Sequence, residues 1–311
     1  PPAHTRLRSL VRAVFTPTAV QAMQPIIEGY VDRLLDDLEG RESFDLIEDY
    51  AAPLPVFVIA SMLGVKDYDL RDLKAWSLEL SRILDPLVSL DEYQRMDEIV
   101  RGFEECFRQA SAESRRRAGD DIISVLLSGA AGHDDLRERD LAAICTLLFI
   151  TGEETTVNLI GNGMLSLHRH PRALAQLRDD PALAETAVEE LLRFESPVQL
   201  TTRVAHEDVV IGDTAVRAGD KIVVGLGAAN RDPEVFEAPG ELRLDGKPNP
   251  HLGFGDGIHF CLGTALARAQ GRLAIPRLIA RFPRLRLEID GGLQWRRNIV
   301  VRGLQQLKVT A

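Results

Sequence analysis

The sequence predicts a mainly α-helical fold with small β-sheets, an α+β arrangement in a single domain over residues 1–311. Three observations carry this expectation. Apolar residues recur at helical spacing through most of the chain up to about Phe194. From Val204 the pattern changes to short apolar runs parted by Gly-Asp turns. A glycine-punctuated loop then opens one more helix, and a short strand-rich tail follows.

Helices are expected at Thr5–Ala13, Thr18–Leu38, Ala51–Leu63, Tyr68–Leu84, Leu90–Arg116, Ile122–Ser128, Leu136–Leu167, Pro171–Arg178 and Leu183–Phe194. Asp134 or Asp135 can cap the long one, and His170-Pro171 should stop it. At about 1.5 Å per residue that helix would reach nearly 50 Å, enough to cross the molecule. Strands are expected at Val209-Val210-Ile211, Ala215-Val216 and Ile222-Val223-Val224. No repeat, low-complexity tract or linker divides the chain.

Composition narrows the function classes. The chain is 45% hydrophobic, and no uninterrupted apolar run is long enough for a bilayer. A net charge of −10, with acids and bases mixed, argues against nucleic acid as the main partner. Cys106, Cys145 and Cys261 are odd in number and far apart, with no Cys-x-x-Cys spacing. A reducing cytoplasm is the natural setting, and zinc or iron–sulfur is not expected.

The most informative segment is Phe254-Gly255-Asp256-Gly257-Ile258-His259-Phe260-Cys261-Leu262-Gly263. Its glycines let the backbone pass flat against a large planar partner. Cys261 stands just before the helix-like stretch Thr264–Leu273. The helix dipole and free N–H groups there favour an anionic, metal-binding sulfur. A second signal is Ile150-Thr151-Gly152-Glu153-Glu154-Thr155-Thr156 in the long helix. Gly152 removes a side chain where a flat ligand can approach. The Thr155 hydroxyl can turn onto the Thr151 carbonyl, opening a gap beside Glu154 suited to moving protons. A third is Glu190 with Arg193, three apart on one helical face.

Together these segments resemble the cytochrome P450 family. Phe254, Gly257, Cys261 and Gly263 fill the fixed places of its haem-ligand loop, Phe-x-x-Gly-x-x-x-Cys-x-Gly. Thr151–Thr155 resembles its central-helix motif, with Thr151 where a small residue is usual. The resemblance covers almost the whole chain and starts at the helix holding His4 and Arg8. The family's N-terminal segment, which supplies part of a sheet and a loop over the substrate pocket, has no counterpart here.

The resemblance implies a haem-thiolate monooxygenase of the soluble bacterial class, with haem b as cofactor. Cys261 is then the iron ligand, whose thiolate charge favours O–O cleavage. The cofactor-binding set is His4, Arg8, Gly152, Arg203, His251, Phe254, Gly255, His259, Cys261 and Gly263; the basic members serve the haem propionates. Glu154 and Thr155, with Thr151 beside them, would manage protons. Glu190 and Arg193 would lock the core together with a third, arginine member that is either missing or supplied by Arg243. Pocket walls are expected from Leu147, Ile150, Gln199, Leu200, Ile299 and Val300, which suits a hydrophobic small molecule from secondary metabolism. Electrons would come from a ferredoxin and its reductase, docking on a basic patch of Arg268 and Arg272 with Arg6 and Arg12, although a merely solvated basic face is as good a reading. The protein is expected to be a monomer. A peroxide-driven peroxygenase and an impaired haem-binding fragment are the alternatives.

Overall fold

The computed structural model describes residues 2–65, 68–85, 87–117, 119–130, 138–246, 249–289 and 291–311. Helices come first: α1 (Ala3–Arg12), α2 (Pro17–Ala22), α3 (Gln24–Leu38), α4 (Pro53–Leu63), α5 (Leu70–Leu80), α6 (Leu90–Ser114), α7 (Ile122–Ala130), α8 (Glu138–Arg169), α9 (Pro171–Asp179) and α10 (Ala184–Phe194). The later short helix α11 (Leu226–Ala229) and long helix α12 (Thr264–Arg281) complete the set. The strands are β1 (Ser43–Asp45), β2 (Leu200–Val204), β3 (Val209–Ile211), β4 (Thr214–Val216), β5 (Lys221–Gly225), β6 (Arg286–Leu287) and β7 (Lys308–Thr310).

Local chemistry sets most boundaries. The Ser89 hydroxyl accepts from the Glu92 N–H while Glu92 reaches back to the Ser89 N–H, a capping box that starts α6. Gly64 ends α4 in the left-handed region at φ 82°, where a side chain would be strained. The expected helix over Thr18–Leu38 is two helices. Pro25 has no N–H to continue the ladder, so the chain breaks at Met23. In contrast, α12 runs through Pro276 without ending. Asp134 and Asp135 lie outside the described residues.

One hydrophobic core runs from Val11 to Val309. Helix α8 is its axis, packed against α4, α5, α6, α10 and α12. By length and mean hydropathy one stretch of it could cross a bilayer, although Glu153 and Glu154 interrupt its apolar run, and 56% of that stretch is buried inside the protein. Its burial therefore has a ready explanation in the core itself.

The sheets are small. Residues 43–45 pair with 308–310, and 308–310 with 286–287, giving the antiparallel order β1-β7-β6. Phe44, Leu287 and Val309 share a register and turn into the core. Strands this short carry no readable alternation, so β1 is not legible in the residues alone. A second sheet pairs β2 with β5 from Leu200↔Gly225 to Val204↔Lys221, and β3–β4 is a two-residue hairpin with Gly212 at φ 58°.

Candidate active site

The cysteine loop is closed by its own backbone. The Cys261 N–H donates to the Phe254 carbonyl at 2.9 Å, and the Thr264 hydroxyl donates to the Cys261 carbonyl at 2.6 Å. Helix α12 starts directly behind, with Gly263 as its N-cap. Gly255 and Gly257 take φ 69° and 72°, so both need glycine for the turn. A Cβ built on Gly255, Gly257 or Gly263 meets nothing within 4 Å. The loop thus keeps one face bare beside a half-buried sulfur.

The thiol differs from the sequence expectation. Burial pushes Cys261 up, and this outweighs the downward pull of the Gly263 N–H, the Thr264 hydroxyl, Arg8 and Arg268. The helix terminus alone does not make the sulfur anionic; a bound cation has to complete the task.

Basic side chains gather beside the loop. Arg8 donates to the Phe260 carbonyl, and the His4 and His259 rings stand 4.5 Å apart. Desolvation, His259 and Arg8 together hold His4 below the usual imidazole range. Three basic groups crowded at one place fit an anion such as a propionate. The other two propionate candidates are placed differently. His251 donates from Nε2 to Glu189 at 3.1 Å, and its Nδ1 accepts the Gly253 N–H at 3.0 Å. Arg203 lies on exposed β2 with its guanidinium folded onto Thr201 and the Thr202 carbonyl.

Phe254 is sandwiched structurally. Arg268 lies 4.8 Å over its ring while holding Glu189 through two 2.6 Å bonds, and His251 packs on it at 5.7 Å. Burial alone would raise Glu189, but Arg268 and His251 bring it down to about 2. Arg272 pairs with Glu185 at 3.6 Å. Arg268 and Arg272 are therefore partnered with acids and do not form the open basic patch expected from spacing alone.

The α8 motif is also only partly as expected. Thr155 donates to the Thr151 carbonyl at 3.1 Å, and Thr151 donates to the Leu147 carbonyl at 2.7 Å. At Gly152 a Cβ would point at Ile59 of α4, in ordinary contact at 3.4 Å, so the missing side chain faces α4. Glu154 is buried, and burial raises its carboxyl despite the nearby Ser81 hydroxyl. Glu153, which sequence reasoning passed over, is buried too and accepts from Ser77 at 2.8 Å. Burial pushes it up to about 7, with Glu154's charge adding and Ser77 opposing. Two adjacent acids in an apolar helix were its only sequence signal.

The expected wall residues fall into two groups. The Val198↔Val301 bridge and the Gln199 N–H to Val300 carbonyl bond bring 199–200 beside 299–300. Leu147 is exposed and Ile150 half-buried on α8, and Ile299 is exposed. Arg296 acts electrostatically on both Glu153 and Glu154, which sets the C-terminal segment facing this part of α8.

Glu190 and Arg193 form a buried lock. Arg193 also donates to the carbonyls of Asn230, Pro239 and Glu241 at 2.9–3.0 Å. The third member is not an arginine side chain. Glu190 accepts the backbone N–H of Arg243 at 2.9 Å and the Asn249 amide at 3.1 Å. The Arg243 guanidinium points instead to Asp245 and Glu237.

Comparison with known proteins agrees with this architecture. The cytochrome P450 family model matches residues 1–291, and the chain belongs to that family. It is 42% identical to cytochrome P450 107B1 of Saccharopolyspora erythraea, over 99% of this chain and 75% of that one. It is 41% identical to the biotin biosynthesis cytochrome P450 of Bacillus subtilis, over 99% and 78%. It is 39% identical to 6-deoxyerythronolide B hydroxylase of Saccharopolyspora erythraea, over 99% and 76%. A solved structure of P450BioI with an acyl carrier protein ligated to hexadec-9Z-enoic acid superposes at a TM-score of 0.94 with 41% identity, covering 99% of this chain and 79% of that one. The protein is a cytochrome P450 monooxygenase with haem as its cofactor. Cys261, the bare glycine face and the His4–Arg8–His259 group fit that cofactor, which supplies oxygen activation when bound.

Proposed function

We propose that this monooxygenase inserts one atom of O₂ into a C–H bond of a hydrophobic small molecule of secondary metabolism, of acyl or polyketide type. The second oxygen leaves as water, using two electrons and two protons. The observation that most supports this reading is the α8 motif: buried Glu154 beside the back-bonded Thr155, with Leu147 and Ile150 on the same helix offering apolar contact. Glu154 and Thr155 hold and move the protons, with the Thr151 hydroxyl one turn back bonded to the Leu147 carbonyl. Cys261 holds the cofactor iron. His4, Arg8 and His259 bind its anionic edge. Gln199, Leu200, Ile299 and Val300 line the substrate side.

The substrate class draws support from relatives whose names specify polyketide biosynthesis, biotin biosynthesis and 6-deoxyerythronolide B hydroxylation. A ferredoxin and its reductase supply the electrons, as membership of the cytochrome P450 family with bacterial relatives suggests. Free Cys106 and Cys145, both buried, suit a cytoplasmic setting.

The test is a carbon monoxide difference spectrum on purified holoprotein, followed by turnover with hexadec-9Z-enoic acid and with a macrolactone under ¹⁸O₂. Label in the product with ferredoxin, reductase and NAD(P)H supports the proposal. Product formed only with added peroxide would replace it with a peroxygenase, a reading that the Glu154–Thr155 acid–alcohol pair argues against.

A further inference from the structure

Helix α5 and α8 meet through polar groups that have no water to fall back on. Ser77 and Ser81 are four residues apart, the first in α5 and the second in the 3₁₀ turn that continues it. Opposite them stand the successive acids Glu153 and Glu154 of α8. All four are buried: Ser77 is 0% exposed, Ser81 2%, Glu153 3% and Glu154 5%. Ser77 donates to Glu153 at 2.8 Å, and Ser81 lies at Glu154 while donating to the Leu78 carbonyl.

We propose that Glu153 is a positioning residue for Glu154: its bond to Ser77 pins α5 to α8 and so holds Ser81 against the Glu154 carboxyl. The inference deepens the proton-handling role proposed for Glu154 and rests on it for its meaning in catalysis, though not for its geometry. Glu154 opposes its ionisation, while Arg296 of the C-terminal segment and Lys74 of α5 favour it. Lys74 is itself paired with Glu48 at 2.6 Å. From α4, the side facing Gly152 is the apolar Ile59.

The link is sensitive to pH. A carboxyl that keeps its proton to about 7 when buried, but loses it near 4.5 once water reaches it, makes opening of α5 easier as pH rises through that window. Above the window the effect levels off.

Hydrogen–deuterium exchange of the peptide covering residues 70–84, measured in the holoenzyme and corrected for intrinsic rate, tests the link. In the wild type, protection should fall as pH rises from about 5 to about 7 and then stay level. Glu153→Gln, which can still accept from Ser77 but cannot ionise, should show a smaller transition, leaving only the part that Glu154, raised by burial at Ser81, contributes. Ser77→Ala should exchange roughly tenfold faster at low pH, since a buried hydrogen bond is lost. Wild-type protection that is flat with pH, or a Glu153→Gln protein with the same transition, overturns the proposal. Should Glu153→Gln fail to take up haem, Ser77→Ala alone decides, and unchanged protection overturns it. Product per NAD(P)H across the same pH range is a separate readout. A flat coupling profile alongside the expected exchange pattern counts against Glu154 as proton carrier while supporting the α5–α8 link.

Discussion

Arg193 and Glu190 face each other one turn apart inside the protein, with Nε–Oε2 at 2.7 Å, Nη2–Oε1 at 2.8 Å, and side chains 4% and 7% exposed. A fork-to-fork pair of this kind fixes both position and orientation. The remaining Arg193 donors clamp three carbonyls between residues 230 and 241, and Glu190 receives the Arg243 N–H and Asn249. The pair therefore ties α10 to the loop segment leading to the cysteine.

Breaking this pair should be costly. Arg193→Met leaves Glu190 buried without its guanidinium, and such a loss costs about 3–5 kcal/mol. Thermal unfolding of the holoprotein should show a large fall in Tm and early haem release. Arg243→Ala should change Tm little, because it retains the backbone N–H that Glu190 uses. An equal fall for both variants would refute this division of labour.

Gly263→Val separates cofactor binding from folding. A Cβ at this position meets no neighbour within 4 Å. The haem-free protein should unfold at nearly the wild-type temperature, while haem titration should show affinity reduced at least tenfold. Normal haem uptake would mean that the bare face is not where the cofactor lies.

Cys261→Ala should abolish the thiolate signature in the carbon monoxide spectrum. Cys106→Ala and Cys145→Ala should leave that signature in place, since burial pushes both of these thiols up to about 12. Any thiolate signal surviving in Cys261→Ala contradicts the ligand assignment.

Thr155→Ala should divert reducing equivalents to peroxide while leaving substrate binding almost unchanged. The double variant at Thr151 and Thr155 should uncouple further, because each hydroxyl bonds a carbonyl one turn back on the same stretch of α8. Product per NAD(P)H and peroxide yield are the measurements. Unchanged coupling in both variants removes the threonines from proton handling.

Glu189 should contribute to the acid limb of stability. Its folded carboxyl is held at about 2, below the unfolded value, by Arg268 and His251. Its contribution is present above the unfolded value and is lost as pH falls toward 2. Glu189→Gln should flatten the wild-type decline in Tm between pH 5 and about 3. Arg268→Glu should slow reduction by ferredoxin and by dithionite alike, since it removes the partner of Glu189 and the cover of Phe254. Selective slowing with ferredoxin would restore Arg268 to a docking role.

What the sequence determined by itself was local and dense in chemistry. The Cys261 loop, the start of α12, the Thr155–Thr151 back-bond and the Glu190–Arg193 spacing are all set by neighbours within about one helical turn, where backbone rules suffice. Tertiary structure decided everything that depends on what a side chain meets across a gap. Arg268 and Arg272 read as a basic face until Glu189 and Glu185 of α10 are placed opposite them. Gly152 read as an opening for a flat ligand until its bare side proved to face Ile59 of α4. Glu153 gave no sign of its proton until α5 buried it against Ser77, because desolvation is a property of the surrounding fold and not of the residue.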